Sequence, residues 1–75
     1  MSIETLILAE ARKKKVIRVK HLVRSLEVIL RAQGVSYSRS TLEKKSQKII
    51  QEMVLRGVLE YYRKGVYIYK GDYEC

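Results

Sequence analysis

The sequence predicts an α+β fold, mainly α, on three observations. Three stretches place apolar residues at the 3.6-residue spacing of a helix buried on one face. A β-branched run, Val16-Ile17-Arg18-Val19, separates the first two of these stretches. Two further runs, Val58-Leu59-Glu60-Tyr61-Tyr62 and Val66-Tyr67-Ile68-Tyr69-Lys70, are β-branched and aromatic and flank Arg63-Lys64-Gly65. The whole reads as one domain over residues 1–75.

The first helix is predicted over residues 2–15. Ser2 serves as its cap, Ile3, Leu6, Ile7 and Ala11 form the stripe, and Leu8 widens it. Arg12-Lys13-Lys14-Lys15 ends it, and cations there complement the negative end of the helix dipole. Residues 16–19 are too short for a helix and are predicted as a strand. The second helix is predicted over residues 20–33, with Leu22, Val23, Leu26, Ile29 and Leu30 on one face and Arg24, Glu27 and Arg31 on the other. Glu27 is spaced to pair with Arg24 or Arg31 along the helix, and Gly34 stops it.

A polar connection from Gln33 to Arg39 leads to Ser40-Thr41-Leu42-Glu43, which fits the S-x-x-E capping box. The third helix, residues 40–57, carries Leu42, Ile49, Ile50 and Met53 on its core side, with Ser46 among them and Val54 at the edge. Thr41, Lys44, Lys48 and Gln51 lie opposite, flanked by Lys45 and Glu52. Gly57 supplies the stop. Residues 58–70 are predicted as a hairpin whose three-residue loop, with glycine third, suits closure by a bulge. Residues 71–75 form a loose tail containing Asp72 and Glu74.

Composition narrows the function. A chain of 75 residues buries about 60% of its unfolded surface, and 47% hydrophobic content without proline favours a folded chain over a disordered one. The single cysteine, Cys75, excludes an internal disulfide framework and a thiolate-rich zinc site, and fits a reducing, cytoplasmic setting. No run approaches the ~18 apolar residues of a membrane span. Leu6-Ile7-Leu8-Ala9, bracketed by Glu4 and Glu10, is unlike a signal peptide.

Catalysis lacks its parts. One histidine, His21, and one aspartate, Asp72 in the tail, do not make a positioned base with an orienting group. The glycines are dispersed at element ends rather than gathered into a phosphate loop, and Cys75 beside Glu74 lacks an electropositive setting. His21 has no cysteine or acidic cluster near it, so neither metal nor cofactor is expected and it reads as a satisfied or solvent-facing side chain.

Charge points to a polyanion. Lys and Arg number 16 against 8 Asp and Glu, a net +8. Between Glu10 and Glu27 stand Arg12, Lys13, Lys14, Lys15, Arg18, Lys20 and Arg24 with no acid, so nearly all of the excess lies there. This segment reads as a phosphate-gripping shoulder, which supports attachment to a polyanion and not sequence readout.

The order helix, short strand, helix, turn, capped helix, glycine, basic-tipped hairpin resembles the winged helix-turn-helix superfamily. The rhythm is carried by Gly34, Ser40-Thr41-Leu42, Leu55-Arg56-Gly57-Val58-Leu59-Glu60 and Gly65-Val66-Tyr67, and it spans about Ile3 to Lys70. Thr41 to Gly57 runs about one helical turn longer than the family's spacing, so the recognition helix is extended or begins later than its cap.

The resemblance implies that helix 40–57 enters the DNA major groove while the hairpin tip reaches backbone or minor groove. On that reading Arg39, Ser40 and Thr41 join the free amides of the helix start in holding phosphate. Lys44, Lys45 and Lys48 reach phosphates or guanine O6 and N7, and Gln47, with Gln51 further along, reads adenine. Arg63 and Lys64 project from the tip, and Lys20, His21 and Arg24 hold the neighbouring backbone. The same residues have plainer readings. Lysines on helix 40–57 also suit a solvated face, a charged hairpin tip discourages edge pairing, and hairpin tyrosines suit cross-strand packing better than base stacking.

The leading expectation is a small sequence-specific DNA-binding protein, a transcriptional regulator that acts by occupying its site, with double-stranded DNA as partner and no small-molecule substrate. Its alternatives are an RNA-binding or ribonucleoprotein winged helix and a protein-interaction module. Leu6 and Leu8 at the flanks of the first helix's core stripe, with Val28 and Leu55 on outer faces, fit a homodimer contact. A dimer implies DNA half-sites about one turn apart.

Overall fold

A computed structural model describes residues 3–71. Helix α1 (Ile3–Lys14) leads to strand β1 (Val16–Arg18), then α2 (Val19–Ala32), α3 (Arg39–Leu55), β2 (Leu59–Arg63) and β3 (Val66–Tyr69). The strands form one antiparallel sheet in the order β1-β3-β2. The chain is thus α+β and mainly helical. The expected Ser2 cap and most of the expected loose tail lie outside the described residues.

Turning from α1 into the sheet takes one residue. Lys15 stands at φ +67, its N–H donates to the Ala11 carbonyl at 2.8 Å, and its carbonyl accepts from the Tyr69 N–H at 2.9 Å. It belongs to the connection and not, as predicted, to the helix. Val19 likewise leaves the predicted strand and opens α2, because Arg18 in extended geometry already serves as the N-cap. No side chain caps this end, and the Val19 N–H instead donates to the Gly65 carbonyl at 2.9 Å.

Both expected glycine stops end a helix in the same way. After α2, Gly34 N–H reaches Arg31 O and Val35 N–H reaches Leu30 O; after α3, Gly57 and Val58 bond Val54 O and Met53 O alike. Each is a Schellman closure with the glycine at positive φ, +80 and +84, where a side chain would meet its own carbonyl.

The start of α3 corrects the prediction. Ser38, not Ser40, is the N-cap; its Oγ accepts from the Thr41 N–H at 3.2 Å and donates to Thr41 Oγ1 at 2.8 Å. Beginning there places Tyr37 just before the cap and Leu42 four positions after it, the two ends of a hydrophobic staple. Leu42 is fully buried and Tyr37 packs on the core. A cap at Ser40 would put Arg39 and Lys44 in those positions, with nothing apolar to join. Consequently Glu43 closes no capping box, and α3 is extended at its start and stops at Leu55.

The hairpin is tighter than predicted. Arg63 pairs with Val66, leaving the two-residue turn Lys64-Gly65, and the register shift between Tyr61 and Arg63 puts the bulge inside β2 at Tyr62. Tyr61 meets Tyr67 edge to face, ring centres 5.7 Å apart.

Ile7, Leu26, Leu42, Ile50, Met53 and Leu59 form the centre of the core. Leu6 is buried in it and Leu8 is half-buried against it, so neither is left at the flank for a dimer contact. The reason is that α1 packs against α2, α3 and β3, so its covered face is wider than one stripe. Val28 and Leu55 are exposed, at 65% and 87%. Ser46 is fully buried, and its Oγ has no hydrogen-bond partner.

Candidate nucleic-acid interface

Two segments distant in sequence converge beside α3. The Val19 N–H to Gly65 carbonyl bond pins the hairpin turn to the first turn of α2. Between them and α3 lies an open groove of about 700 Å³, lined by Lys20, Glu43, Lys44, Gln47 and Lys64, with Val19 and Gly65 at its floor end. Four of the sequence-predicted residues, Lys20, Lys44, Gln47 and Lys64, are therefore neighbours around one concavity. Among the described residues none of these three lysines is in an ion pair, so their ammonium groups remain hydrated and available to an anion.

The remaining lysines of α3, Lys45 and Lys48, line a second groove, although Lys48 stands one turn from Lys44. Successive helical residues are turned by about 100°, so Lys45 lies well round from Lys44. This groove, of about 560 Å³, lies toward α1 with Ile3, Glu4 and Glu52, and Lys45 stands 5.9 Å from the ring centre of Tyr37. The helix thus carries cations on two sides.

At the start of α3 the expected phosphate clamp is rearranged. Arg39 Nη2 bonds Glu27 Oε1 at 3.1 Å, so Glu27 reaches across to α3 and does not pair along α2 with Arg24 or Arg31. Ser40 and Thr41 are exposed in the first turn, but the Thr41 amide is already taken by Ser38.

The basic shoulder is only partly unengaged. Lys14 pairs with Glu10 at 3.3 Å, and Lys15 sits 5.3 Å from the Tyr69 ring centre. Arg12, Lys13 and Arg18 are exposed at the α1 end and the α2 cap, and Arg24 is exposed one turn beyond Lys20. His21 and Arg18 line a recess of about 260 Å³ with Glu10 and Lys14. On the hairpin, the Arg63 guanidinium stacks 5.7 Å from the Tyr62 ring centre, while Lys64 turns to the groove.

Sequence reasoning missed one groove residue, Glu43, because the capping-box pattern already accounted for it. Among the described residues no three metal-ligating side chains gather to hold an ion, and no helix is long and apolar enough to cross a membrane. No family model, no curated protein and no solved structure matches this chain.

Proposed function

We propose that the chain is a winged-helix protein that binds duplex DNA sequence-specifically and regulates transcription by occupying its site. The element order α1-β1-α2-α3-β2-β3 and the strand order β1-β3-β2 support the winged-helix reading. The observation that carries the function is the groove where Lys20, Lys44, Gln47 and Lys64 meet.

An α-helix about 10–12 Å across with its side chains fits a major groove about 12 Å wide. With α3 seated there, Lys44 donates to guanine O6 or N7 and Gln47 pairs with adenine N6 and N7. Lys20 and Lys64, together across the groove from α3, neutralise phosphates beside the helix. Lys13, Arg18 and Arg24 extend the same grip along the backbone. Phosphate contacts supply affinity and register, and base contacts on α3 supply the sequence.

Binding to a selected duplex, a random duplex, structured RNA and heparin across a salt series tests this. Engagement of about five phosphates gives a slope of log affinity on log salt of about −4 to −5 on duplex DNA. Tighter binding to structured RNA than to any selected duplex would move the function to RNA, and no duplex binding at low salt would end the proposal. Within the complex, Lys44→Ala is expected to weaken the selected site by about 1–3 kcal/mol and random DNA by much less. Lys45→Ala, facing the other side, is expected to weaken both equally.

A further inference from the structure

We infer that Glu43 sets the sequence preference of this groove by accepting a hydrogen bond from cytosine N4, an inference that rests on the DNA-binding reading above. Two structural facts leave its carboxylate without a local partner. Capping of α3 by Ser38 removes the backbone amide that a capping box would have given it. Arg39, the cation one turn before it on α3, is drawn away to Glu27. Lys44 is adjacent in sequence, and adjacent helical residues do not face each other.

Four other glutamates have cation partners. Glu4, Glu10, Glu27 and Glu60 each hold a cation, at 3.0, 3.3, 3.1 and 3.0 Å. Glu43 lies in the same groove as Lys20, Lys44 and Lys64 yet pairs with none of them among the described residues.

A carboxylate in a groove that receives a polyanion repels phosphate, and it also rejects any base edge that presents acceptors. Guanine shows O6 and N7 and thymine shows O4, so both oppose it. Adenine offers an N6 donor beside the N7 acceptor, whereas cytosine offers its N4 donor alone. Glu43 therefore lowers affinity for most sequences and spares those with cytosine beneath it. Gln47, one turn along the same side, reads the neighbouring step.

The test is a binding-site selection with the wild-type chain, E43Q and the control E52Q. Glu52 is exposed on α3 and, among the described residues, is likewise in no ion pair, but it lines the opposite groove. Wild type and E52Q are expected to select cytosine at one position, with replacement of it costing roughly tenfold or more. E43Q, whose amide donates as well as accepts, is expected to widen that preference to other bases and to bind random duplex about threefold tighter or more, since a carboxylate's repulsion of phosphate is gone. Cytosine preference as narrow in E43Q as in wild type, or widened equally in E52Q, overturns the role of Glu43 while leaving DNA binding intact. Failure of the wild type to bind any duplex overturns the DNA-binding reading itself.

Discussion

Ser46 sits on the core side of α3 because the helical period puts it there, although its chemistry does not suit the place. Its Oγ is buried with no partner, and an unsatisfied buried hydroxyl costs about 1–3 kcal/mol. Alanine fills nearly the same volume and has the higher helix propensity. Ser46→Ala is therefore expected to stabilise the fold by about 1 kcal/mol or more, read as a rise in the urea midpoint at unchanged m. A fall would mean that the hydroxyl holds a bond. Arg39 supports a second prediction at this scale. Its charge is already compensated by Glu27, so Arg39→Ala is expected to weaken DNA binding less than Lys44→Ala in the same titration, and the exposed pair contributes at most about 1 kcal/mol to stability. Burial of Ser46 is legible from its spacing between Leu42 and Ile50. The Arg39–Glu27 pair is not, because Glu27 has equally good partners along its own helix and only tertiary packing brings Arg39 near.

Helix α3 shows how an element boundary is decided by a contact outside the element. Ser38 and Ser40 both suit an N-cap, and the S-x-x-E spacing favours Ser40. The staple between Tyr37 and Leu42 favours Ser38 and wins, since burying Leu42 completely is worth more than a second side-chain bond at an exposed helix end. Ser38→Ala is accordingly expected to destabilise the fold by about 1 kcal/mol, and Ser40→Ala to change it by less than about 0.5 kcal/mol. Equal losses in thermal unfolding would return the cap to Ser40. The three helices, the first strand and the hairpin are legible because each follows one period and each helix after the first ends on a glycine. The hairpin loop is one residue shorter than its sequence suggests, because Arg63 carries no strand signal yet completes a pair with Val66. Lys15 was equally opaque: a lysine after three cations continues a helix on paper, and only the immediate need to enter the sheet turns it to positive φ.

For the whole molecule the relevant quantity is +8 on a body with a radius of gyration of 11.9 Å. The ion pairs described above lie at the surface and offset little of the mutual repulsion among the cations. Stability is expected to rise with added sodium chloride as that repulsion is screened, and to rise further with heparin to the extent that it binds the folded arrangement of charge more tightly than the unfolded chain. A melting temperature that falls on both additions would show that ion pairing outweighs repulsion. The excess charge and its position are legible in sequence. The meeting of Lys20, Lys44, Gln47 and Lys64 is not, because it depends on the Val19–Gly65 bond and on β3 lying between β1 and β2. That strand order also fixes the timing of assembly during synthesis. β1 pairs with β3 alone, so it waits without a partner until translation has passed Tyr69. The helices have their residues long before then, but the clasp between the hairpin turn and α2 closes last, and a nascent chain halted short of β3 has Lys20, Lys44 and Lys64 and none of the groove.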